Sequence, residues 1–539
     1  MPYNPKIYFI KQVIPKVLSL LLVGILFYPI LPLFLSIFTP SSKNFEHIIN
    51  LFIVDHTITT ILLLLFVTLF SFLIALCASI LVSFYKFPFS NNFKFLLILP
   101  LTIPTYFGAY IYDKIFDYSG IINSSMRNIF NINHFLSFDL FSFWGGVFIF
   151  TLFLFPYLFI ILLSFFRKHM AELIEVARTL GASPFTILIY IIMPLAKFPI
   201  MSGLTMIMME IINDFGVTSY LGIQTFSASI FKAWFSLNDI ALASKLSGYL
   251  VPVIFLFLIL SKKYSSKKSL SFVSNHEPSP FPLKGKYAFL ATVFCSIIFI
   301  ISYVLPVLIL GYYSYFAFIK YPVWNTLAVM FQTIFLIVIS TLILLMLGLF
   351  LAYQNRRKTS IYTELFSLQY ALPSIIIAVA ILNTYFQLES WNIFPMGTAT
   401  KLQNLFVLVI FAYVTRFMIL SYNVSFSAFK KIGFEYQQIS QTLGYTKFQT
   451  FFKIELPLIL PSILIGSTII MIDLFKELPL TLFLSPFNFE TLSTSTHNYV
   501  VNEMFTESTP SALVLIFIIG FVTWGLFRYS YYSNKGKKL

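Results

Sequence analysis

An all-α membrane protein of about 12 transmembrane helices, in two homologous six-helix halves with both termini cytoplasmic, is the architecture this sequence predicts. Three observations predict it. Of the 539 residues, 58% are hydrophobic and only 10% are charged, whereas a soluble chain carries about 25% charged residues. Apolar runs of about 20 residues recur along the chain, each long enough to cross a bilayer as a helix. A polar-to-apolar stretch, ARTLGASPFTILIYIIMP at 177–194, returns 263 positions later as SQTLGYTKFQTFFKIELP at 440–457.

The runs divide six and six. The first half, 1–260, holds runs at 15–38, 57–83, 93–112, 141–166, 187–212 and 240–260. A polar linker occupies 261–287, and the second half, 288–539, holds runs at 288–313, 325–353, 363–385, 404–426, 457–475 and 511–530. The apolar run Val17–Phe38 is too long for a secretory h-region and no A-x-A-like site follows, so it is read as the first span. Lys and Arg orient the whole: with the N-terminus inside, 25 of the 35 fall in cytoplasmic segments and seven in the opposite loops. That bias accounts for much of the net charge of +15 without nucleic acid.

Each repeated stretch reads as two short helices with a bend. AELIEVARTL is built of helix formers, Gly181 suits a left-handed C-terminal cap, and Ser183 can cap the next helix with Pro184 at its first position. Gly444 and Thr446 take these roles in the second copy, and Glu172 aligns with Glu435, Ile191 with Ile454, and Pro194 with Pro457. A plain connection between spans needs no such repeated pattern.

These residues resemble the cytoplasmic motif of binding-protein-dependent ABC importer permeases: Glu-Ala-Ala, three residues, Gly, nine residues, Ile-x-Leu-Pro. The first copy matches at Glu175, Ala177, Gly181, Ile191 and Pro194; the second keeps Gly444, Ile454 and Pro457 but has Gln438 for Glu and no alanines. The resemblance implies that both loops dock on ATP-binding subunits, two copies for one fused chain. It also implies an extracytoplasmic substrate-binding protein and a bacterial inner (cytoplasmic) membrane. The chain itself then needs no cofactor, ATP and Mg²⁺ belonging to the partner. Consistently, no G-x-x-x-x-G-K-[ST] phosphate loop occurs. No catalytic cluster that would suggest a membrane enzyme stands out. The six histidines are scattered, mostly in expected loops, without ligand-like spacing, so no metal site is assigned. Cys77 and Cys295 both lie in apolar runs and suggest neither disulfides nor a metal. A 12-span secondary transporter would explain the repeat and the span count but not the paired loops.

Two acids follow each loop. Glu210 and Asp214 lie 16 and 20 residues after Pro194, and Asp473 and Glu477 lie 16 and 20 after Pro457. The i, i+4 spacing puts each pair on one helix face. Sixteen residues climb roughly 24 Å, toward the far interface. The simpler expectation is that the helices end there and the acids sit in headgroup water, with Lys476, beside Glu477, neutralising one of them. The other is an acidic vestibule on a cation's path, since acids within the membrane usually face a bundle interior or water. The surrounding segments NDFG (213–216), KELP (476–479) and PFNFETLST (486–494) resemble ferric-iron ABC importer permeases, and hard carboxylate oxygens suit Fe(III). Related permeases for thiamine, polyamines or phosphonates share the architecture and remain alternatives.

Overall fold

The computed structural model describes residues 5–38, 53–130, 138–237, 239–265, 280–355, 361–390, 398–433 and 435–536. Among them eight helices are long and apolar enough to cross a membrane: Val54–Phe84, Phe143–Arg167, Pro184–Asn213, Lys286–Lys320, Val323–Asn355, Phe406–Ile432, Lys447–Lys476 and Phe505–Leu526. Three bent pairs bring the number to as many as eleven: Ile14–Phe27 with Ile30–Ser36, Ser90–Thr102 with Thr105–Phe116, and Tyr362–Ala371 with Ser374–Ser390. The remaining apolar run lies on helix Ile240–Ser265, whose apolar part, Ile240–Leu256, is shorter.

Periodicity explains which side each helix shows to lipid. Helix Val323–Asn355 leaves Phe331, Phe335, Leu342 and Met346 exposed, at spacings of four, seven and four. Its other face buries Leu336, Ser340, Leu344 and Gly348. Both faces are largely apolar because one meets protein and the other hydrocarbon. The small residues let neighbours approach closely. Gly203 and Gly466, related by the same 263-residue offset, are two such positions. A Cβ at Gly203 would meet Leu158 and one at Gly466 would meet Val424.

The third run of each half is not the straight span its hydropathy suggests. It turns by 91° before Thr105 and by 101° before Ser374. Pro104 and Pro373 sit at the two corners. A proline disfavours helical backbone in the residue before it, and Ile103 is extended, with φ −93° and ψ 116°. Each turn leaves a helix N-terminus in the protein interior.

The halves are interwoven. Gln369 donates to the Leu26 carbonyl at 2.8 Å, and Phe27 packs on Phe366, so the first helix of the chain lies on the second half. Reciprocally, the Tyr112 hydroxyl donates to the Ile301 carbonyl at 2.5 Å, tying the first helix of the second half to the first. Of the linker, residues 266–279 lie outside the described residues. Its end, Phe281–Pro282, pairs in parallel with Tyr85–Lys86, and Phe281 carries the Arg178 guanidinium 3.4 Å from its ring centroid.

Candidate functional site: an acidic cavity between the halves and two repeated loops

The loops come first because they set the spacing of everything after them. Helix Ala171–Thr179 ends in a Schellman motif: Ala182 N–H bonds the Ala177 carbonyl at 3.0 Å and Gly181 N–H the Arg178 carbonyl at 2.9 Å. Gly181 has φ 80°. The second loop repeats this after helix Glu435–Thr442, with Tyr445 N–H to Ser440, Gly444 N–H to Gln441, and φ 88° at Gly444. Only glycine adopts such values without strain.

Ser183 then caps Pro184–Ile187 by accepting from Thr186 N–H, and Thr446 caps Lys447–Thr450 in a full capping box with Gln449. Beneath the bend, Ala177 and Ile187 are both buried. The corresponding Ser440 and Thr450 are buried too, and their hydroxyls lie 2.7 Å apart. Two buried apolar side chains in one copy thus correspond to a hydrogen-bonded pair in the other. Glu172, Glu435 and Gln438 are exposed and Glu175 is half-buried. Leu180 and Phe185, and their counterparts Leu443 and Phe448, project apolar side chains at 81%, 69%, 73% and 72% exposure.

A single turn of π-helix follows each loop, at Leu188–Ile192 and Phe451–Glu455, and a third occurs at Ile300–Val304. All three end two residues before a proline: Pro194, Pro457 and Pro306. Proline supplies no N–H and its ring crowds the carbonyl four residues back. A one-residue bulge relieves that conflict without breaking the helix. Ile191 and Ile454 lie within these turns, half-buried.

From there the helices run to the acids. They end at Asn213 and Lys476, so Asp214 and Glu477 occupy C-cap positions with extended backbone, ψ 117° and 116°. The expected pairing of two acids on one helix face is therefore corrected: the second acid of each pair lies past the helix end. There it caps the short helix that follows. Asp214 accepts from Val217 N–H at 2.7 Å and Glu477 from Leu480 N–H at 3.2 Å. Asp214 also accepts from the Thr105 hydroxyl, at the first corner. A carboxylate at a helix C-terminus opposes that helix's dipole, and the N–H groups of the next helix offset this.

The expectation of acids in headgroup water is corrected as well. Glu210, Asp214, Asp473 and Glu477 all line one cavity of about 110 Å³, formed by residues of both halves. The volume holds a few water molecules. Two cations share it, Arg416 and Lys476. Arg416 Nε lies 3.6 Å from Glu477 Oε2, and its Nη1 donates to the Leu372 carbonyl at the second corner, 2.7 Å away. Lys476 faces Asp473 and Glu210, and the ion-pair partner of Glu477 is Arg416. Fully ionised, four carboxylates against two cations leave a net charge of −2. Tyr106, Tyr157 and Tyr370 also line the cavity, and the Tyr370 hydroxyl lies 3.5 Å from Asp473. Sequence reasoning passed over these three because nothing distinguished them among 31 tyrosines.

Among the described residues no three His, Cys, Asp or Glu side chains converge as a metal site. His56, His169 and His497 lie in helices rather than in the expected loops, while His47, His134 and His276 are outside the described residues.

Comparison with known families decides what kind of machine holds this cavity. The model of the binding-protein-dependent transport system inner membrane component matches twice, over residues 75–262 and 344–535. The chain belongs to that family. It is therefore a permease of an ABC importer, a multi-pass protein of the bacterial inner membrane. Membership implies an ATPase partner and a substrate-binding partner as well as the bilayer. Among curated proteins, this permease is 25% identical over 483 residues to "Fe(3+)-transport system permease protein FbpB 2" of Haemophilus influenzae, covering 88% of this chain and 89% of that one.

Proposed function

We propose that this permease carries ferric iron, received from a substrate-binding protein, through the cavity lined by Glu210, Asp214, Asp473 and Glu477. The observation that carries the reading is the gathering of these four acids, from both halves, around one small cavity. Fe(III) is a hard cation that prefers oxygen ligands, and carboxylates and phenols line its proposed path without converging as a fixed metal site among the described residues. The similarity to a Fe(3+) permease supports the same reading. A lining with twice as many acids as cations disfavours an anion such as a phosphonate. A polyamine is the second reading, because carboxylates and aromatic rings also suit ammonium groups.

The two repeated loops, with their exposed Leu180, Phe185, Leu443 and Phe448, dock on two ATP-binding subunits at the cytoplasmic face. The termini and the linker lie on that side. ATP and Mg²⁺ act on the partner, and the chain converts closure of the ATPase pair into a switch of access. Vesicles reconstituted with the partner subunits and binding protein test this, using labelled Fe(III), thiamine and spermidine. ATP-dependent Fe(III) uptake alone is the expected result, and uptake of either organic cation in its place overturns it. Uptake that needs no ATPase but collapses with an uncoupler would mark a secondary transporter.

A further inference from the structure

We infer that Lys476 is a tethered counter-cation: it occupies the electrostatic place of the cargo before loading, and its charge selects the cargo's valence and drives its release. The inference rests on the ferric-iron reading above and adds the residue that discriminates.

The two cations of the cavity are held differently. Arg416 is pinned, with one nitrogen on the Leu372 carbonyl at 2.7 Å and another 3.6 Å from Glu477, its side chain and that of Glu477 each only 7% exposed. Lys476 has no such anchor. It feels the charges of Asp473 and Glu210, yet among the described residues it makes no contact ion pair with either. Its ammonium stands on a flexible four-carbon stem. Asp214 and Glu477 are further committed to backbone N–H groups. Glu210 and Asp473 are the acids whose charge Lys476 feels, and the pinned Arg416 acts on both from a fixed position. A second feature marks the space between as a ligand's place. The Asn213 side-chain oxygen, on a residue only 9% exposed, lines the same cavity and has no hydrogen-bond partner among the described residues.

Attraction scales with the product of charges. A trivalent ion gains three times what a monovalent ion gains from the same carboxylates, and so displaces an ammonium that a monovalent ion cannot. Once the ion is bound, Lys476 swung aside remains a neighbouring positive charge. Its return to Glu210 and Asp473 repels the ion onward. Conduction requires a site strong enough to fill and weak enough to empty, and a tethered cation meets both demands. Removing the charge leaves Glu210 and Asp473 opposed only by the pinned Arg416, so that they hold any multivalent cation more tightly and with less discrimination.

The test compares wild type, Lys476→Met and Lys476→Arg as full importer complexes in nanodiscs and vesicles. The probes are Fe(III) nitrilotriacetate and Mn(II). Lys476→Met should retain at least ~10-fold more Fe(III) after washing, turn over Fe(III) more slowly, and discriminate less than wild type between Fe(III) and Mn(II), which gains about two-thirds of the attraction. Lys476→Arg should restore release and selectivity. Unchanged retention and selectivity in Lys476→Met overturns the inference, as does Lys476→Arg behaving like Lys476→Met. Should Lys476→Met fail to assemble, Lys476→Gln gives the same comparison with a polar side chain. Wild type that carries no Fe(III) in these vesicles sinks the ferric reading itself, a different failure.

Discussion

Tyr110 and His497 hydrogen-bond across the two halves, Oη to Nδ1 at 2.6 Å, in a buried setting. The Tyr110 ring packs edge-on against Tyr220 and Tyr106, and Phe215 stands edge-on to His497. Tyr106 and Phe215 line the acidic cavity, so this contact closes the halves beside it. Burial pushes the His497 imidazole down from 6.5 to about 4. It is therefore neutral when folded, and an unfolded chain binds a proton first as pH falls. Stability is full above pH 6.5 and is lost as pH falls from 6.5 toward about 4. The loss is on the order of 3 kcal/mol. His497→Gln should flatten that part of the unfolding temperature against pH, and equal slopes in wild type and variant would refute the assignment.

Gly181 and Gly444 have positive φ, and a Cβ at either would meet nothing within 4 Å. Substitution therefore strains only the backbone, by about 1–2 kcal/mol, and leaves the spans intact. Gly181→Val or Gly444→Val should cut substrate-stimulated ATP hydrolysis by the complex several-fold while membrane levels hold. Normal stimulation in both would remove the docking role of the loops.

Gly466 is the contrasting case. A Cβ there overlaps Val424, so Gly466→Leu must push two helices apart, at about 1–3 kcal/mol. Gly525, with open space around it, is the control. A lowered unfolding temperature for Gly466→Leu but not Gly525→Leu is expected in purified protein, and parity would count against the close helix contact.

Arg416→Met strands Glu477 and the Leu372 carbonyl together. Breaking a buried pair from one side costs about 3–5 kcal/mol. Adding Glu477→Gln should recover part of it, as read by a double-mutant cycle on unfolding temperature. Simple additivity would mean that the two residues are not coupled.

Much of this was legible in the sequence. Gly181 with Ser183 and Gly444 with Thr446 announced helix, left-handed turn and cap, because each device is completed within a few residues. The π turns were not foreseen, although Pro194, Pro306 and Pro457 stood in plain view, since a bulge is one of several ways a helix accommodates proline. The corners at Pro104 and Pro373 were missed for a related reason: hydropathy measures apolar length and is blind to direction.

The acids mark the boundary between the two kinds of knowledge. Sequence alone determined that the chain is a helical membrane protein, that its loops repeat, and that Glu210, Asp214, Asp473 and Glu477 recur at one offset. These are properties of composition and local spacing. Only the tertiary structure decided that the four acids share one cavity between the halves. Only it decided that Asp214 and Glu477 cap the next helices and that Arg416, 61 positions before Glu477, is that acid's partner. Burial and ion pairing depend on what other segments bring to the same point. Here those segments are two prolines' corners and the facing half of the chain.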